Sequence, residues 1–197
     1  MKNIKVVGFV VALVIVGFAV AKNYMDRKDI VVEDGASSIQ TALAQDWQTR
    51  KVGETGLTVF TPDGLKNVPV KLDKAARKLL ESYDAYEYAV TSFSIRIIHT
   101  VAIDGLDHKD YADKLANMVK DVMKVDTYTY SIDPYEKGDM SGSALTGVAN
   151  KNGFNTVINS VIVAKDKALW EVTVSYDERS KKLAELTEKI LSSVEVQ

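Results

Sequence analysis

Residues 143–176 read SALTGVANKNGFNTVINSVIVAKDKALWEVTVSY, and this stretch decides the fold. Asn152-Gly153 is the strongest short-range hairpin signal, so it separates two expected strands, Ser143–Asn150 and Phe154–Val163. Lys165-Asp166-Lys167 joins the second of these to a third, Leu169–Tyr176. In that third strand Trp170, Val172, Val174 and Tyr176 alternate with their neighbours, which gives one apolar face. Strands joined by such short turns pair antiparallel.

Working outward, Phe93–Ile103 reads FSIRIIHTVAI. Phe93, Ile95, Ile97, His99, Val101 and Ile103 share one face, and Ser94, Arg96, Ile98, Thr100 and Ala102 share the other. Asp107 is placed to cap a helix from His108 to about Lys124, and Asp110 imitates the acid of a capping box. Tyr111, Leu115, Met118, Val119, Val122 and Met123 form the apolar stripe of that helix. Leu57–Thr61 reads as a strand stopped by the turn Thr61-Pro62-Asp63-Gly64. Asp73 to about Ser82 is expected as a short helix with Asp73 as cap. A loop is expected around Asp133-Pro134. A last helix, about Glu178 to Val194, is expected to bury Leu183, Leu186, Ile190 and Val194. Ile39, Leu43 and Trp47, spaced by four, predict one more short helix over Ser38–Trp47. Helices before and after a strand meander must cover its apolar faces. The expected class is therefore α+β, an α/β/α sandwich around a twisted antiparallel sheet, preceded by an N-terminal transmembrane or signal helix.

That N-terminal helix rests on Lys2 and Lys5 followed by Val6–Ala21, an uncharged run. Its 16 residues make a helix of roughly 24 Å, against a hydrocarbon core of about 30 Å. Flanking Lys22 and Asn23 can make up the difference by snorkelling. Ala19-Val20-Ala21 also fits a signal-peptidase site, with cleavage after Ala21. A retained signal anchor and a cleaved signal peptide both place the rest of the chain outside the cytoplasm, since the positive start stays inside. The division expected is 1–21 as anchor or signal peptide, 22–46 as tether and short helix, and 47–197 as one domain. The membrane is the partner expected for residues 6–21.

The 197-residue chain has 46% apolar and 26% charged residues, a globular balance. A net charge of −2 argues against nucleic acid, which needs clustered Lys and Arg. The chain has no cysteine, which removes disulfides, thiol nucleophiles and cysteine metal sites. With two histidines, no His-rich metal centre is expected, and no cofactor.

Gly56-Leu57-Thr58-Val59-Phe60 running into Thr61-Pro62-Asp63-Gly64, the strand-to-helix passage Phe93–Lys124, the Gly147–Tyr176 meander and the closing Ile190-Leu191-Ser192-Ser193-Val194 together resemble the PsbP-like superfamily over roughly 53–196. The resemblance implies that superfamily's fold, and a non-catalytic role in binding or assembly. It implies no catalytic residue.

No residue type capable of chemistry stands in a catalytic pattern. His99 lies on an apolar strand face and is expected to be a core or edge histidine. His108, in a first helical turn, is expected to be solvated. Asp104, Asp107 and Asp110 lack the central Gly of a calcium loop, and capping accounts for them. Asp133, Glu136 and Asp139 read as a solvated acidic turn. Ser141-Gly142-Ser143 lacks the pattern of a nucleophile elbow, and no phosphate-binding loop or His-Glu-x-x-His is present. Tyr83, Tyr86, Tyr88, Tyr128 and Tyr130 are the candidate partner surface, since an exposed tyrosine offers apolar area and a hydroxyl together. The function expected is that of a membrane-tethered envelope protein, not an enzyme, that binds another envelope protein. A small-ligand site between sheet and helix is the alternative, and a hydrolase the third reading.

Overall fold

Asn152 and Gly153 both take positive φ, 55° and 81°, as a two-residue type I′ turn requires, and Lys151 pairs with Phe154 across them. The computed structural model of the chain describes residues 35–197 apart from Lys71, Asp73 and Ala75. In chain order the elements are α1 (Gly35–Leu43), β1 (Trp47–Lys51), β2 (Leu57–Pro62), β3 (Lys66–Asn67), β4 (Leu80–Val90) and β5 (Phe93–Ala102). There follow α2 (His108–Met123), β6 (Thr127–Lys137), β7 (Met140–Lys151), β8 (Phe154–Lys165), β9 (Ala168–Asp177), α3 (Lys181–Ser192) and β10 (Glu195–Val196).

Among the described residues a seven-stranded sheet runs in the order β3-β4-β5-β9-β8-β7-β6, and a three-stranded one in the order β1-β2-β10. Every pairing is antiparallel. The meander β7–β8–β9 is the one the sequence announces. It inserts β9 beside β5, so that the two most deeply buried strands of the sheet lie side by side at its middle.

α2 covers one face. Its Tyr111, Ala112, Leu115, Ala116 and Val119 are at most 1% exposed and pack with Leu145, Ala149, Ile158, Ile162 and Leu169. On the opposite face Ile95, Ile97, Val161, Trp170, Val172 and Val174 pack against Leu57, Val59, Leu183, Ile190 and Val194. The sandwich is therefore layered as expected, but α3 shares its outer layer with the small sheet. That sheet is built by two strands not foreseen, β1 and β10.

Four further expectations are corrected. Residues 73–82 are not a helix: Asp73 lies outside the described residues, one 3₁₀ turn spans Ala76–Lys78, and β4 starts at Leu80. Helix propensity there yields to pairing with β5, beginning at Leu80↔Ala102. Trp47 does not continue the first helix. α1 ends at Leu43, and Trp47 opens β1, folding back so that its indole N–H donates to the Ala42 carbonyl at 2.8 Å. Asp133-Pro134 is no loop but lies inside β6, at the edge of the sheet, where a strand tolerates proline. Finally, α3 is capped by Ser180, whose hydroxyl accepts from the Leu183 amide, and it buries Leu183, Thr187 and Ile190 while Leu186 is half-buried.

The predicted helix at 6–21 lies outside the described residues, as does the tether, expected from Lys22 to about Ala36, up to residue 34; its last two residues open α1. Among the described residues no helix is long and apolar enough to cross a membrane.

Candidate functional site

The most polar cluster in the interior was not foreseen. Register places Arg96 opposite Thr173, and Ile98 opposite Glu171, on the face under α2. Glu171 is fully buried and Arg96 is 8% exposed. The Glu171 carboxylate accepts from the Arg96 guanidinium, from the Tyr111 hydroxyl at 2.7 Å and from Thr173 Oγ1 at 2.6 Å. Thr173 in turn shares a hydrogen bond of 2.7 Å with Ser160. Burial works against the guanidinium charge, but the attraction and hydrogen bond of Glu171 outweigh it and raise the Arg96 pKa. Burial, and then Glu171, push the Tyr111 hydroxyl well above its ordinary value, so it stays a neutral donor. A carboxylate held by three donors away from solvent is suited to fastening α2 to the sheet rather than to moving protons. The signal for it was a single Arg and a single Glu, each interrupting an apolar strand.

The two histidines are on opposite faces of the sheet. His99 is 8% exposed, with Nδ1 3.3 Å from Asp84 and its ring 5.3 Å from that of Trp170. Trp170 itself donates to the Thr55 carbonyl at 2.8 Å, so this group ties the 52–56 turn to the sheet. His99 is thus a core histidine held by a side chain. His108 is not merely solvated: it is half-buried, and its Nδ1 lies 2.9 Å from Ser143 Oγ, joining the start of α2 to β7. Asp107 caps α2 as expected, accepting from the amides of Lys109 and Asp110 at 2.8 and 2.9 Å. Asp133 and Glu136 are exposed on β6. Among the described residues no group of His, Asp and Glu could hold a metal.

The five tyrosines do not make one surface. Tyr83 turns under the α2 side and packs with its core, where burial drives its hydroxyl pKa up against the pull of Arg96. Tyr86 faces the other way, its hydroxyl lying where a side chain on Gly53 would have to go. Tyr88 is 8% exposed in an aromatic group with Trp47 and Phe93. These three are wedges between layers.

Tyr128 and Tyr130 are different. They stand on β6, on the α2 face, and stack with ring centroids 5.1 Å apart and 25° between planes. The Tyr128 ring occupies the space that a Cβ on Gly147 would need, at 2.6 Å, which explains the glycine in mid-strand. Burial, and then Tyr130, push the Tyr128 hydroxyl up to about 12. Tyr130 is 45% exposed.

Among the described residues, no strand pairs with the far side of the strand beneath them. β6 is 11 residues long and ends the sheet order. Gly138 and Asp139 are the two turn residues between Lys137 and Met140. In a two-residue hairpin the pair flanking the turn exchanges both hydrogen bonds. Alternation back from Lys137 then gives the odd-numbered residues of β6 to the β7 ladder. The backbone N–H and C=O groups of Tyr128, Tyr130 and Ile132 face outward, as does the nitrogen of Pro134, which has no proton to offer.

No family model and no curated protein matches the sequence. Among solved structures the chain is similar to cyanobacterial PsbP (CyanoP) from Synechocystis sp. PCC 6803, with 12% identity and a TM-score of 0.52, over 78% of this chain and 94% of that one. It is also similar to LpqN of Mycobacterium tuberculosis, involved in cell envelope biogenesis, with 15% identity and a TM-score of 0.46, over 81% of this chain and 96% of that one. The Ran-binding protein Mog1p of Saccharomyces cerevisiae gives 13% identity and a TM-score of 0.39, over 75% of this chain and 86% of that one. The domain has a PsbP-like fold, and at these identities the likeness is one of fold.

Proposed function

We infer that this is a non-catalytic assembly module of the cell envelope, held at the membrane by residues 6–21, which docks a protein partner along β6. The observation that carries this reading is the stacked pair Tyr128–Tyr130 on a long strand that, among the described residues, has one side unpaired. Open edges are where proteins accept strands from outside, and tyrosine supplies contact area at small cost in side-chain freedom. The buried charged cluster supports the same reading, because the Arg96 guanidinium and the Tyr111 hydroxyl both donate to Glu171. The space between α2 and the sheet is filled by Tyr111, Leu115 and Val119, so no observation favours a ligand there. The N-terminal lysines and the apolar run support an extracytoplasmic place for the domain.

Recovery of the full-length protein from its native membrane tests the reading. The protein is expected to stay with the membrane through carbonate washing and to bring a partner with it, and Tyr130→Glu is expected to lose that partner without a change in melting temperature. Equal recovery by Tyr130→Glu would overturn the docking surface. A mature N-terminus at Lys22 would overturn the anchor.

A further inference from the structure

The two halves of β6 are not protected alike. Its second half carries Asp133, Pro134 and Glu136, the charges and proline with which edge strands are kept from pairing. Its first half, Thr127-Tyr128-Thr129-Tyr130-Ser131-Ile132, carries no charge and no proline and is made largely of residues that favour strands. At the other end of the sheet β3 is only 2 residues long and covers β4 at Tyr86 and Glu87, and β4 carries its own charges, Glu81, Asp84 and Glu87. Among the described residues the first half of β6 is thus left ready to pair.

We propose that the partner at this edge is a second copy of the chain, joined by antiparallel pairing of Thr127–Ile132 about a two-fold axis through Tyr130. This rests on the reading of β6 as the docking edge. The outward backbone groups are those of Tyr128, Tyr130 and Ile132, and such a ladder must join residues of that parity. Centred on Tyr130, Tyr128 exchanges both hydrogen bonds with Ile132 of the second copy, and Tyr130 with Tyr130 of the second copy.

Each side-chain pair this register creates is compatible. On the α2 face, Tyr128 meets Ile132 and Tyr130 meets its twin, aromatic and β-branched pairs that stabilise neighbouring strands. On the opposite face Thr129 meets Ser131, and Thr127 meets Asp133, so hydroxyls lie beside groups they can bond. No like charges face each other, and an interface that repeats itself under a two-fold is the commonest kind in soluble oligomers. Pro134 then sits opposite Asp126, where the ladder stops.

The absence of cysteine from the chain makes the test clean. Full-length Thr129→Cys and Ser131→Cys proteins, carrying different tags, are placed in one membrane and oxidised. The pair Thr129–Ser131 falls at a non-hydrogen-bonded site, where Cα atoms lie about 4.5 Å apart, within the roughly 4.4–6.8 Å that a disulfide spans. A mixed disulfide is expected between the two variants, with little from either alone, and Tyr130→Lys added to both is expected to abolish it. Equal cross-linking by either variant alone would mean collision without this register and overturn the proposal. If no mixed disulfide forms while Tyr130→Glu still loses a different envelope protein, the second copy is excluded as partner and the docking edge stands. If both tests fail, the edge is not a docking surface.

Discussion

Glu171 is a carboxylate inside an apolar strand, and its neighbours decide what removing its charge would do. Glu171→Gln removes the carboxylate that faces the buried Arg96 guanidinium, and breaking a buried pair on one side costs about 3–5 kcal/mol. Urea unfolding should read that loss directly, and a loss below about 1 kcal/mol would show that the Arg96 charge is balanced by other groups. In α3, Leu183 is fully buried, so Leu183→Ala is expected to cost about 2–5 kcal/mol. The same change at half-buried Leu186 is expected to cost clearly less, and equal losses would contradict the helix rotation described. The alternation in Phe93–Ile103 put Arg96 on the correct face, and His99 on the other. It could not supply Glu171 or Tyr111 as partners, since Glu171 lies 75 residues from Arg96, and Tyr111 lies 60 residues from Glu171. Only the order of strands brings them together.

Elements were legible where one signal governed them. The meander followed from its turns, and α2 from its cap and stripe. β4 was hidden because its tyrosines divide between two faces, so no single face reads as apolar. β6 was hidden by Pro134, which marks a turn in most settings and here marks an edge. The far end of β6 also holds α3, because Lys137 Nζ donates to the carbonyls of Ser192 and Val194 at 2.7 and 2.9 Å. A cation at a helix C-terminus satisfies carbonyls that the helix leaves free. Lys137→Ala is therefore expected to destabilise the protein by about 0.3–1 kcal/mol, with faster amide exchange in the last turn of α3. Unchanged exchange there would show that the contact contributes nothing to holding the helix end.

The whole molecule should respond to alkali through its buried phenols. Tyr83, Tyr111 and Tyr128 all have hydroxyl pKa values raised above the ordinary 10.0 by burial. The folded state therefore keeps protons that the unfolded state gives up once the pH passes 10.0. Their contribution is intact below that pH and is lost as the pH climbs through 10.0 toward about 12. Circular dichroism and tyrosinate absorbance, followed together, should show unfolding and the last phenol ionisations in one step. Ionisation of all phenols with the fold intact would contradict their burial. The small sheet sets a different limit on the molecule. β10 pairs with β2 through Glu195↔Thr58 and Val196↔Leu57, and the amide of Gln197 donates to the Gly56 carbonyl at 3.1 Å. A strand met early along the chain and the last strand are thus neighbours. A chain that leaves the ribosome or a translocation channel from its N-terminus holds β2 without this partner until residue 196 has emerged. The outer layer over Trp170 accordingly closes last, as a latch fastened onto a seven-stranded sheet whose strands all precede it in the chain.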